Sequence, residues 1–207
     1  MPLSGYIMLV AEDVIGLAFG RRLIQEHAAL NLWRETNAHG NGAIRRDILK
    51  YDSMARNGVP AFVLTDLDAR PCCRLLIDEW FSGQQGPHQD LLLRVCVREP
   101  EAWLMADPGP LSRLLRTAER NFPKYPETLP DPKQFLYNLT RTAPSKVRKG
   151  LLPAVGSTAK IGPEYNDLLL PLVSQLDIGK AAKRAPSLAK ARQRLGELAA
   201  RVAAGVM

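Results

Sequence analysis

The chain has 207 residues, 46% of them hydrophobic, and a formal net charge of +7. That length and apolar content suit one large domain or a domain with a substantial extension, and exclude wholesale disorder. No apolar run approaches the roughly 18 residues that span a bilayer, so no membrane partner is expected.

Met1 to Val10 has neither a basic leader nor a small-residue cleavage site. It reads as a first strand, not a secretory signal. The cysteines are Cys72, Cys73 and Cys96, an odd count with two adjacent. That argues against a disulfide framework and for reduced thiols in a cytoplasm. The charge is unevenly placed. Residues 1–140 hold 16 Lys and Arg against 17 Asp and Glu; residues 141–207 hold 12 against 4, a net +8. A basic region attached to a charge-balanced one points to a polyanionic partner, nucleic acid or nucleotide phosphate, over a merely solubilising surface.

In chain order, residues 5–11 form a near-continuous apolar run, as in a parallel strand covered on both faces. It ends at Glu12-Asp13, and 14–29 follow with helical spacing. Residues 30–36 read as a more polar, edge strand. Asn37 to Gly42 is a loop, and 43–56 a helix carrying Arg45, Arg46 and Lys50. The central strand climbs from Pro60 and ends in Asp66-Leu67-Asp68. Pro71 opens a third helix, with Leu75, Leu76, Trp80 and Phe81 as its apolar face. A Gly/Gln/Pro loop covers 83–89, a strand 91–97, and a helix 101–107 that Pro108-Gly109-Pro110 breaks before another at 111–117. Four prolines in 123–132 mark a boundary between a 1–120 α/β domain and a 121–207 connector with a basic, mainly helical region packed on it. From Pro144 that region reads as loop-rich, with helices at 165–176 and 187–204, Ser187 capping the last.

Strand–helix alternation at this spacing predicts a mostly parallel four-stranded sheet flanked by helices. Right-handed crossovers put the strand C-termini on one side, where open α/β sheets bind ligands. Glu12, Asp66, Asp68, Glu99 and Glu101 then share one edge. A single Asp-x-Asp is often only a helix cap. Five converging carboxylates repel one another and need a compensating cation. Oxygen-only ligands suit Mg²⁺ or Mn²⁺, and such a centre supports phosphodiester cleavage.

Glu at the end of the first strand and Asp-x-Asp at the end of the third resemble the TOPRIM domain of topoisomerases, primases and overcoming-lysogenization-defect-type nucleases. The resemblance covers residues 5–118 in element order. Val63 to Asp68, Arg94 to Asp107, the Gly-Ser at 156–157, Gly162 to Tyr165 and Ala185 to Leu188 are further similar to a bacterial TOPRIM-like family often encoded beside AAA-type ATPases. The resemblance implies a Mg²⁺- or Mn²⁺-dependent nuclease working with a partner ATPase, in phage defence or DNA processing. It implies Glu12, Asp66 and Asp68 as metal ligands, with Glu12 also a general acid/base, and Glu99 or Glu101 as a further acidic motif. Many TOPRIM proteins have Glu-Gly at the first motif, where this chain has Glu12-Asp13. Asp13 is thus an additional candidate ligand. No lysine stands out as a transition-state cation; Lys146, Arg148, Lys149 and Lys160 are the candidates, and with Arg45 and Arg46 they form the expected phosphate-gripping set. A homodimer stays open.

Two other readings compete. One is a non-catalytic TOPRIM-like module that binds nucleic acid or a partner ATPase. The other is a haloacid-dehalogenase-like phosphohydrolase, whose Asp-x-Asp ends the first strand; here it ends the third, and Arg70 stands where that family has Thr. The remaining features have bland readings: Arg45, Arg46 and Lys50 as a solvated helix face, His39 as a polar loop residue, Cys72 and Cys73 as core or half-buried thiols, and Trp103 as packing. Tyr165 reads as packing or as a base-stacking platform.

Overall fold

The computed structural model describes residues 5–82 and 85–205. Met1–Ser4, Gly83–Gln84 and the last two residues lie outside them, so the expected first strand and the 83–89 loop are tested only in part. Four strands, β1 (Tyr6–Ala11), β2 (Asn31–Asn37), β3 (Ala61–Asp66) and β4 (Leu91–Cys96), form one sheet in the order β2-β1-β3-β4. Every pairing is parallel. The α/β architecture with a parallel four-stranded sheet is therefore as expected. β2 is an edge strand, exposed along its first five residues.

Strand alternation splits the core into two layers. Ile7, Leu9, Phe62, Leu64, Leu92 and Cys96 face one side; Met8, Val10, Ala61, Val63, Leu93 and Val95 face the other. The second face is covered by α2 (Asn41–Arg56) through Ile44, Ile48 and Tyr51, and by α3 (Cys73–Trp80) through Leu76 and Trp80. The first carries α1 (Val14–Ile24) and most of the remaining chain: α4 (Pro100–Ala106), α5 (Pro108–Leu115), α6 (Pro132–Thr140), α7 (Ser145–Leu151), α8 (Tyr165–Gln175), α9 (Ile178–Ala182) and α10 (Pro186–Ala203). One apolar cluster runs from Ile7 of β1 to Val202 of α10. The C-terminal third thus completes the core of the sheet. No helix among the described residues is long and apolar enough to cross a membrane.

Several local expectations need correction. α1 stops at Ile24, and the chain turns over the next residues instead of continuing to Ala29. Leu75 is exposed, because α3 turns Leu76 and Trp80 to the sheet. Pro108-Gly109-Pro110 does mark a break between α4 and α5, but it belongs to the second helix instead of preceding it. It forms the first turn of α5, where missing N–H groups cost nothing. The connector and the supposed loop-rich stretch contain α6 and α7, both begun from a proline: Pro132 fills the first turn of α6 behind the Asp131 cap, and Pro144 precedes α7. Ser187 is not the cap of α10; Pro186 already occupies its first turn. The Ser187 hydroxyl instead accepts from Trp103 Nε1 at 2.8 Å and donates to Glu127 Oε1 at 2.5 Å. Trp103 does pack α4, edge-on to Phe19 of α1 with centroids 5.3 Å apart.

Candidate metal centre

β1 and β3 are adjacent and parallel, with Ala11 opposite Leu64. Their C-terminal ends therefore carry Glu12 and Asp66 side by side. The Asp66 backbone N–H donates to Glu12 Oε1 at 2.8 Å, and the Thr65 hydroxyl donates to the same oxygen. Thr65 is buried, and alternation puts it on the face of Val63. Burial raises the Glu12 carboxyl above the ordinary range, against those two hydrogen bonds, with Asp68 and Asp13 adding to the rise.

Asp66 lies one residue on, toward Leu64's face. Its carboxyl is held well above the usual aspartate range, first by burial, then by the charges of Glu12, Asp13, Glu101 and Asp68. Among the described residues its side-chain oxygens accept no hydrogen bond, although they lie amid four other carboxylates. The chain then turns sharply. Asp68 has φ 51°, a left-handed conformation that Asp tolerates, and its Oδ2 accepts from Asn41 Nδ2 at 2.9 Å, at the start of α2. Arg98 braces the turn, donating from NH1 to the carbonyls of Asp68 at 2.8 Å and Arg70 at 3.0 Å. Asp13 has a separate task. It caps α1, accepting from the Gly16 N–H at 2.7 Å.

Glu99 and Glu101 come from the β4–α4 junction. Glu101 is fully buried, and its Oε1 accepts from the Tyr165 hydroxyl at 2.5 Å. Its other oxygen is buried with no hydrogen-bond partner among the described residues. Lys133, on α6, supplies the counter-charge. Its Nζ is 3.3 Å from Glu101 Oε1 and 3.8 Å from Glu99 Oε1. Burial alone would lower the Lys133 pKa, but Glu101 and Glu99 outweigh it, so the ammonium persists beyond the ordinary lysine range. Burial and Glu101 raise Glu99. Tyr137, one turn after Lys133, stacks edge-on against Tyr165 at 6.1 Å and donates to the Lys160 carbonyl at 2.8 Å. The Lys160 loop is thereby tied to Glu101 through two aromatic side chains.

The five predicted carboxylates follow the C-terminal ends of β1, β3 and β4. Among the described residues, however, no three Asp, Glu, His or Cys side chains stand as a preformed ligand set. The reason is geometric. Glu12 and Thr65 occupy one face of the strand ends, Asp66 and Glu101 the other, and Asp68 is drawn toward α2. The donor chemistry fits a hard divalent ion: oxygen only, excess negative charge, and an unpartnered oxygen on Glu101.

Lys133 was invisible from spacing, since it lies in the proline-rich connector. Only the Asp131-Pro132 cap signal could have placed it on a helix. Of the predicted basic set, Arg45 pairs with Glu79 at 2.8 Å, and Arg46 is exposed on the same helix. Lys146, Arg148 and Lys149 are exposed on α7, and Lys160 is exposed in the loop that follows. None of these four forms an ion pair among the described residues. Cys73 is half-buried, with burial raising its thiol pKa, the opposite of an activated nucleophile. Comparison with protein-family models, with curated proteins and with solved structures finds no match.

Proposed function

We propose that the chain is a divalent-metal-dependent nuclease of TOPRIM type, hydrolysing phosphodiesters at the C-terminal edge of its sheet. The observation that carries this reading is Asp66: a half-buried carboxylate that accepts no hydrogen bond among the described residues and lies close enough to Glu12, Asp13, Asp68 and Glu101 for their charges to raise it. Such an arrangement costs stability unless a cation offsets it. Glu12, Asp66 and Asp68 would hold Mg²⁺ or Mn²⁺, with Glu101 or Glu99 completing the shell. When bound, such an ion supplies polarisation of a phosphoryl oxygen and activation of water.

The chain's own groups support the rest. Lys133 stands within ion-pair distance of Glu101 and Glu99 and would bring a positive charge to the edge where a phosphoryl group would sit. Tyr165 fixes the Glu101 carboxylate. Thr65 and the Asp66 N–H hold Glu12 by one oxygen, leaving the other free. Lys146, Arg148, Lys149 and Lys160 offer unpaired cations to a phosphate backbone. A partner ATPase, implied by the family resemblance, belongs to the same reading.

The test is cleavage of DNA and RNA by the purified chain in Mg²⁺ or Mn²⁺. Asp66→Ala should abolish cleavage while circular dichroism stays unchanged; equal cleavage by that variant would sink the proposal. A non-catalytic nucleic-acid- or ATPase-binding module is the second reading, favoured by the lack of a preformed ligand set. Salt-sensitive nucleic-acid binding without calorimetric Mn²⁺ binding would select it.

A further inference from the structure

Arg94 breaks the pattern of its strand. β4 reads Leu-Leu-Leu-Arg-Val-Cys, and alternation puts Arg94 on the face of Leu92 and Cys96, both core residues. An aliphatic residue would satisfy that position. The guanidinium is instead partly withdrawn from water, and among the described residues no carboxylate pairs with it. Its Nε donates to the Leu93 carbonyl at 2.6 Å. Burial and a second guanidinium, Arg194, both disfavour its charge, and Glu197 offsets this only weakly. Isolated half-buried guanidinium groups are expensive unless an anion joins them.

A cavity of about 320 Å³ lies between β4 and α10, lined by Arg94, Arg194, Arg201, His88, Glu197 and Leu92 among others. Its one acid, Glu197, is already engaged, as is Asp90 outside the lining. Glu197 takes Arg194 at 2.6 Å, and Asp90 takes Arg201 at 2.5 Å. Even so, Arg201 Nε is buried without a hydrogen-bond partner among the described residues. An uncompensated guanidinium on the wall of a cavity calls for an oxyanion to join it.

We propose that this cavity binds a phosphate monoester, such as the phosphate of a mononucleotide or the phosphorylated end of an oligonucleotide. With Arg194 and Arg201 committed to Glu197 and Asp90, Arg94 is the guanidinium left for an incoming anion. Planar N–H forks suit its oxygens. Leu92 and Pro87 give an apolar wall for the attached sugar or base. The site is separate from the carboxylate edge. Asp66 pairs with Cys96 at the C-terminal end of β4, whereas the cavity takes residues 87–92 at its beginning. It does not depend on the nuclease reading.

Calorimetry on the full chain in EDTA tests this, with inorganic phosphate, adenosine monophosphate, and an oligodeoxynucleotide bearing either a 5′-phosphate or a 5′-hydroxyl. The phosphate monoesters should bind saturably, one per chain, with the 5′-hydroxyl oligonucleotide at least tenfold weaker. Tighter binding of the mononucleotide, or of the phosphorylated oligonucleotide, identifies the source of the phosphate. Arg94→Met and Arg194→Gln should each weaken binding at least tenfold, and Asp66→Asn should leave it unchanged. Arg194 is exposed, so its variant decides the matter if Arg94→Met fails to fold. No saturable binding of either monoester, equal affinity for the 5′-hydroxyl strand, or full affinity in Arg194→Gln overturns the proposal.

Discussion

Lys133 Nζ lies 3.3 Å from Glu101 Oε1, joining a helix of the C-terminal third to the helix that follows β4. The lysine neutralises a carboxylate that is otherwise buried with one orphaned oxygen. It does the same, more loosely, for Glu99. The cluster is thus both an electrostatic brace between two parts of the chain and a component of the candidate site.

Replacing Lys133 by Met keeps the volume and removes the charge. Glu101 and Glu99 then face each other uncompensated. Breaking a fully buried pair costs ~3–5 kcal/mol; Lys133 retains 30% side-chain exposure, so a loss of about 2 kcal/mol is expected. Because the Lys133 pKa is raised on folding, its stabilising contribution is complete below the ordinary lysine range and lost only as pH climbs through the raised value. The deficit of Lys133→Met against the native chain should therefore be constant between pH 6 and 9 in urea melts. A deficit that varies across that interval would show the brace to be something other than this charge.

Tyr165→Phe removes the hydroxyl that donates to Glu101 at 2.5 Å without altering the ring that packs against Tyr137. Glu101 then has no uncharged donor. A hydrogen bond to a buried charged group is worth about 1.5–3 kcal/mol, and chemical denaturation should show a loss of that size. A neutral result would mean that Lys133 alone satisfies the carboxylate.

Gly162 is required for a different reason. A Cβ there would stand 2.3 Å from the Gly150 carbonyl oxygen and 2.4 Å from the Leu151 carbonyl carbon. These are backbone atoms at the end of α7, and they are held there by the Gly162 N–H to Leu151 O and Glu164 N–H to Gly150 O bonds. Gly162→Ala must push α7 away from α8, at about 1–3 kcal/mol. Because α7 carries Lys146, Arg148 and Lys149, nucleic-acid affinity should fall with it under the proposed function. Thermal melts and a binding titration read both effects, and an unchanged melt would show that the helices separate freely.

The sheet was legible because its signals are local. β1, β3 and β4 are short apolar runs, and Glu12 and Asp66 sit where the first two of them end. Their adjacency follows from parallel pairing of β1 with β3. What stayed hidden depends on contacts across long stretches of chain. Lys133 meets Glu101 across a sequence separation of 32 and Tyr165 across one of 64, and neither separation leaves a periodic trace. The connector prolines hide helices for a related reason: Pro132 and Pro144 look like linker residues in sequence, yet Pro132 fills the first turn of α6 and Pro144 directly precedes α7. Arg94 shows the reverse. It stood in plain view within an apolar strand, but its lack of a counter-ion emerges only once α10 is packed beside it.

Asp66→Asn addresses the carboxylate cluster without activity as the readout. Asn reproduces the shape of the protonated acid and removes its charge. The Asp66 pKa is raised on folding, from an ordinary value of 3.8, by burial and by its acidic neighbours. The folded chain therefore binds that proton more tightly than the unfolded one, and the ionised carboxylate costs stability at every pH above its folded pKa. That cost shrinks as pH falls through the raised value and vanishes below the ordinary aspartate range. In EDTA at pH 8, Asp66→Asn should be more stable than the native chain, by on the order of 1 kcal/mol, or about 2–4 °C for a chain of this size. The gain should disappear as the pH approaches 4. Millimolar Mn²⁺ should reverse the ranking, because a ligand that binds only the folded state raises its melting temperature and the variant has lost the central donor. Equal melting temperatures in EDTA at pH 8 would mean that the repulsion is relieved within the protein. A Mn²⁺-induced rise of the same size in both forms would place the ion elsewhere.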